Sequence, residues 1–139
     1  MHMTPPSHSR TSETARIKQV LDRHPMIRLA VLFGSLAKGE AGRDSDLDLA
    51  VDGGRPLDPH EKLHLIAELA EAVGRPVDLV DLVSVGEPLL GQILSGGKRL
   101  LGDDTRYACL VTKHLLNQAD FMPYRNRILQ ERRQAWIGL

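Results

Sequence analysis

Apolar positions along this chain change period as it runs, and each change marks an element. In "SETARIKQVLDRHP", Ile17, Val20 and Leu21 recur at helical spacing, so a helix is predicted with Ser12 as its N-cap and Pro25 as its stop. "MIRLAVLF", Met26 to Phe33, is a β-rich apolar run and predicts a buried strand that ends at Gly34-Ser35. "SLAKGEAG" leaves room for one or two helical turns before Gly39 and Gly42 break them. "SDLDLAVD" then alternates: Leu47, Leu49 and Val51 share one face of a strand, Asp46 and Asp48 the other. Asp58-Pro59 opens a second long helix whose apolar stripe reads Leu63, Ile66, Leu69, Ala70 and Val73, with Gly74 as its stop. "PVDLVDLV", Pro76 to Val83, is a third strand, and a short helix over Pro88 to Leu94 leads to a small edge strand in "SGGKRLLGDD". A last amphipathic helix runs from Thr105 to Ala119 and is interrupted by Pro123.

This alternation predicts an α/β fold, a small sheet with helices packed on it. The link between the first two strands is shorter than a crossover helix needs, so a purely parallel sheet does not follow. The 139 residues suit one domain, read as residues 12–123 between a flexible leader (1–11) and a helical tail (124–139). From the end of the domain into that tail, Phe121, Tyr124, Ile128, Leu129, Trp136 and Ile137 supply apolar bulk suited either to a partner or to the chain's own core.

Charge changes the picture mainly by exclusion. Eighteen basic and eighteen acidic side chains cancel, which gives no global field for nucleic acid. No apolar run reaches the length of a membrane span, and "MHMTPPSHSR" lacks a signal-peptide core, so a cytoplasmic protein is expected. The single cysteine, Cys109, cannot form an internal disulfide and reads as a small apolar residue on a helix face. His60 and His64, at i and i+4, have a spacing zinc can use, but without a third ligand in view an exposed helix face explains them better.

The chemistry concentrates in "LFGSLAKGEAGRDSDLDLAV". Asp46 and Asp48, at i and i+2 on a strand, project from one face and can share hard cations. Two magnesium ions about 3.5–4 Å apart activate an attacking oxygen and stabilise a leaving one. Gly34 followed by Ser35, opening a short helix, supplies close backbone approach, N–H donors and a hydroxyl for phosphate oxygens. Together these predict a site for a metal-bound nucleoside triphosphate.

Gly34-Ser35, ten residues, then Asp46-x-Asp48 resembles the signature of the minimal nucleotidyltransferases of the DNA polymerase β-like superfamily. The resemblance implies a polymerase β palm-like core and a third carboxylate on a later strand. Spacing alone leaves Asp78 and Asp81 in competition, since residues three apart face opposite sides of a strand. Family likeness favours Asp78, giving Asp46, Asp48 and Asp78 as the expected catalytic and metal-binding set. It also assigns Gly34 and Ser35 to the triphosphate, with Lys38 and Arg43 as candidate partners of the leaving pyrophosphate. Lys38 departs from the arginine common in relatives, which retains charge and loses the planar fork.

Size and pattern are similar to the MNT antitoxins of HEPN/MNT toxin–antitoxin pairs. That resemblance implies an enzyme that transfers AMP from ATP to a tyrosine of a HEPN ribonuclease toxin, silencing it, as a hetero-oligomer with the toxin or as a homodimer. Two alternatives stay open: a small-molecule nucleotidyltransferase of the aminoglycoside type, and an antitoxin that inhibits by contact alone.

Overall fold

The computed structural model describes residues 6–119, with side chains described from residue 12. The elements run α1 (Pro6–Asp22), β1 (Leu29–Phe33), α2 (Gly34–Lys38), β2 (Leu47–Asp52), α3 (Pro59–Val73), β3 (Val77–Asp81), α4 (Leu89–Gly96) and β4 (Lys98–Leu101). A final helix, α5, occupies residues 104–119. The aromatic and aliphatic residues of the predicted tail, and Pro123, lie outside the described residues.

The sheet is mixed, in the order β3-β2-β1-β4. The short α2 link turns β2 back antiparallel to β1, whereas the fifteen-residue α3 is long enough to carry β3 back parallel to β2. The sheet is packed on both faces. Ala30, Leu32, Leu47, Leu49, Val51 and Leu79 meet Ile17, Val20 and Leu21 of α1 and Leu65 and Leu69 of α3. Leu29, Val31 and Ala50 meet Leu90 and Ile93 of α4 and Leu110 of α5 on the other side. The three-layer α/β architecture agrees with the expected nucleotidyltransferase core.

Two local expectations are corrected. Ser12 is not the N-cap of α1, which starts at Pro6; its hydroxyl instead accepts from Arg16 Nη1 one turn on. Leu63 does not belong to the buried stripe of α3: it is 66% exposed, while Leu65 takes the core position beside Leu69. The N-cap Asp58 lies three residues before Glu61, and the two close a reciprocal capping box at the start of the helix. Among the described residues no helix is long and apolar enough to cross a membrane.

Candidate active site

Asp48 stands on β2 between two named neighbours. The register pairs it with Phe33, the last residue of antiparallel β1, and with Asp78 on parallel β3. Paired residues on adjoining strands project from the same face, so the Asp48 and Asp78 carboxyls lie side by side, close enough to share a proton. Burial raises the Asp48 pKa above its ordinary value, and the charges of Asp78 and then Asp46 push it further the same way. Asp46 precedes β2 and is exposed, as is Asp78. Asp78 and Asp46 thus both act on Asp48, although among the described residues no three His, Cys, Asp or Glu side chains are closed into a ready-made ion cage.

Gly34 follows Phe33 and carries φ +73. A Cβ at this position would lie 2.2 Å from Asp48 Oδ2. The glycine is therefore required twice, once for its left-handed backbone and once for the carboxylate packed on it. Ser35 is half-buried at the start of α2, whose N-cap Phe33 offers the first-turn N–H groups no side-chain acceptor. Gly39, in the left-handed region, ends that helix, and Glu40 N donates to Ser35 O at 2.9 Å.

The profile described as "Polymerase beta, Nucleotidyltransferase" matches residues 15–106. The chain belongs to the polymerase β nucleotidyltransferase family. It is similar to the protein adenylyltransferase MntA of Shewanella oneidensis, 39% identical over 100 residues, which is 70% of this chain and 72% of that one. Its fold is similar to a solved toxin–antitoxin with AMP-PNP, at TM-score 0.74 and 31% identity, covering 85% of this chain and 96% of the other. A structure of tri-AMPylated Shewanella oneidensis HEPN toxin in complex with MNT antitoxin gives TM-score 0.71 and 28% identity, over 88% and 97% of the two chains.

The remaining candidates of this nucleotidyltransferase fall in different places. Asp81 is turned to the opposite side from Asp78: its carboxylate accepts from Leu57 N at 2.8 Å and Val83 N at 2.9 Å, stapling the segment before α3 to the end of β3. Lys38 is exposed in the last turn of α2, its stem beside Gly96 at the end of α4, and Arg43 is exposed in the turn before β2. Neither forms a hydrogen bond or ion pair with the acidic trio among the described residues. His64 does gain acidic and imidazole neighbours, Glu68 at 3.9 Å and the edge of His24, whose ring bonds the same carboxylate. That bond is the main cause of the lowered Glu68 pKa, and the cluster ties the end of α1 to α3. Cys109 is exposed on α5, while His114 is largely covered through Glu87, whose two oxygens are each 3.0 Å from its Nδ1.

One positioned residue escaped the sequence reading. Arg75, in "GRPVDLV", is only 13% exposed and reaches the loop that delivers Asp46. Nothing in the string distinguishes a clamping arginine from a solvated one; its place between the helix stop and the third strand was the sole available signal.

Proposed function

We propose that this nucleotidyltransferase moves AMP from ATP to a tyrosine hydroxyl of a HEPN ribonuclease toxin, and that the modification silences the toxin. The observation that carries the reading is the pairing of Asp48 with Asp78, beside Asp46 and against Gly34, whose left-handed backbone and packed carboxylate favour glycine. Likeness to an adenylyltransferase named MntA and to a complex holding an AMPylated HEPN toxin supports the acceptor.

The donor set suits magnesium. It is all carboxylate oxygen, and burial followed by repulsion from Asp78 and Asp46 already raises the proton affinity of Asp48, so a divalent cation answers an imbalance present in the fold. Asp46, Asp48 and Asp78 are the residues that would hold two such ions, which when bound supply charge neutralisation of the triphosphate and acidify the acceptor hydroxyl. The protein's own groups do the rest. Gly34 and Ser35 grip the β- and γ-phosphates through backbone N–H and hydroxyl, fixing the α-phosphorus. The tyrosine oxygen attacks that phosphorus in line, the bond to pyrophosphate breaks, and Asp78 accepts the hydroxyl proton. Lys38, at the end of α2, and Arg43, in the turn before β2, are exposed cations that would meet the departing pyrophosphate.

The test is incubation with ATP labelled at the α-phosphate, magnesium and the cognate HEPN protein. Label on a toxin tyrosine, lost in Asp46→Asn plus Asp48→Asn, is the expected result. Label on an aminoglycoside alone would move the chain to the small-molecule class. Silencing that survives the double substitution would make it an antitoxin acting by contact.

A further inference from the structure

Asp46 lies outside the strand ladder. β2 begins at Leu47, so the backbone that carries Asp46 is the end of a loop. The hydrogen bonds of the sheet cannot fix it, yet its carboxylate acts on Asp48. Something else must hold the loop, and one guanidinium is built round it.

Arg75 Nη1 donates to Gly42 O at 2.7 Å and to Ser45 O at 2.9 Å, with Arg43 O further off at 3.4 Å. Its Nε donates to Glu13 Oε2 at 2.6 Å and its Nη2 to Glu13 Oε1 at 3.4 Å. The arginine and the glutamate are 13% and 15% exposed, so the pair is shielded from most solvent competition. Ser45 Oγ accepts from Gly42 N at 2.9 Å and closes the loop on itself. The next residue after Arg75 completes the grip, because Leu47 N donates to Pro76 O at 2.8 Å. Residues 45 and 47 are therefore held from one short segment, and the residue between them is Asp46. The same segment runs straight into β3 and Asp78.

We propose that Arg75 is a positioning residue for nucleotidyl transfer: its guanidinium, oriented by Glu13, clamps the Gly42 and Ser45 carbonyls and thereby sets Asp46 in register with Asp48 and Asp78. This rests on the reading of the three carboxylates as the site given above. The planar fork is essential to the device. Two separate carbonyls and a carboxylate are met at fixed angles by one rigid group, which a lysine ammonium on a flexible stem cannot reproduce.

The experiment compares wild type with Arg75→Lys, Arg75→Gln and Glu13→Gln in the full chain. Hydrogen exchange is followed by mass spectrometry over residues 42–48, and binding of AMP-PNP is titrated against magnesium. Expected are at least tenfold faster exchange over 42–48 in Arg75→Gln, with β1 and α4 unchanged, and a magnesium requirement for nucleotide binding raised at least fivefold. Arg75→Lys restores little of either, and Glu13→Gln lies between. In an Asp46→Asn background, Arg75→Gln adds no further loss of nucleotide binding.

Unchanged exchange over 42–48 in Arg75→Gln would overturn the clamp. Full rescue by Arg75→Lys would reduce the residue to a nearby positive charge. Additive losses with Asp46→Asn would show that it acts elsewhere than through Asp46. The exchange comparison needs no nucleotide, so it judges the clamp separately from the functional reading, which wild-type AMP transfer judges.

Discussion

Asp48 and Asp78 face each other across parallel strands with their carboxyls near enough to share a proton, and burial together with that proximity raises the Asp48 pKa. A raised carboxylate pKa in the folded chain means the fold binds this proton more tightly than the unfolded chain does. With no divalent ion, the favourable contribution is complete at pH below the ordinary aspartate value. It is lost as pH rises from there through the raised folded value. Asp48→Asn removes the charge at every pH, so its thermal midpoint should exceed that of wild type at pH 7 and converge with it near pH 4. Added magnesium should close the gap at pH 7 by stabilising wild type alone. The same variant should lose nucleotidyl transfer by about 10³-fold, since several kcal/mol of transition-state charge stabilisation depend on the site. Calorimetric scans across pH, with and without magnesium, check the first half, and labelled-ATP kinetics the second.

Gly34 separates a backbone demand from an active-site demand. Its φ of +73 costs an alanine about 1–2 kcal/mol. The added Cβ must also displace Asp48 Oδ2, from which it would stand only 2.2 Å away. Gly34→Ala should therefore lower unfolding free energy modestly in urea while transfer falls by about 10²-fold or more, a loss well beyond that of Ser35→Ala. Equal small effects on both measurements would mean that the Asp48 side chain simply rotates away.

These outcomes follow from features of unequal visibility in the sequence. The alternation of Leu47, Asp48 and Leu49 revealed a two-faced strand, because a period of two has one structural reading when both faces are filled. The Gly34-Ser35 and Asp46-x-Asp48 spacing was legible through its resemblance to the nucleotidyltransferase signature, with the i, i+2 placement of the two aspartates giving it a chemical reason. Leu63 was misread because a helical stripe can be drawn through several sets of leucines, and it is Leu65 with Leu69 that meets the sheet and α1. Arg75 stayed hidden because its partners, Glu13, Gly42 and Ser45, are thirty or more residues distant in the chain. Long-range polar contacts of this kind leave no periodic trace. On the choice between Asp78 and Asp81 the spacing alone was silent and family likeness favoured Asp78; the register adds that Asp78 is the one paired with Asp48.

That choice yields a double dissociation. Asp81 satisfies two backbone N–H groups, Leu57 and Val83, so Asp81→Ala leaves two donors without their acceptor. The expected cost is about 1–3 kcal/mol of stability for each group left unsatisfied, with the magnesium dependence of transfer unchanged in the protein that remains folded. Asp78→Ala should do the reverse, abolishing transfer while leaving the urea midpoint equal to wild type or above it. If Asp81→Ala abolished transfer at full stability, the roles assigned to the two aspartates would be exchanged.

The capping box of α3 gives a prediction on the acid side, with the opposite sign to that of Asp48. Glu61 accepts from Asp58 N and meets Arg55 through both its oxygens, at 2.9 and 2.8 Å. Hydrogen bonding by Arg55, the Asp58 backbone N–H and the Arg55 charge bring its pKa down to about 2. A lowered carboxylate pKa contributes stability that is present above the ordinary value and lost as pH falls from about 4.5 toward 2. Glu61→Gln should therefore flatten that part of the stability curve and leave the neutral-pH shape unchanged. Asp58→Ala, which removes the acceptor for Glu61 N at 2.8 Å, should cost about 1 kcal/mol at any pH where the helix forms. Because Arg55 is exposed, half-molar salt should shrink the difference between wild type and Glu61→Gln but not the effect of Asp58→Ala. Circular dichroism melts over pH 2 to 7 at two salt concentrations separate the two contributions. An acid limb equally steep in Glu61→Gln would assign the acid sensitivity to other carboxylates, Glu68 and Glu87 first, whose pKa values are lowered as well.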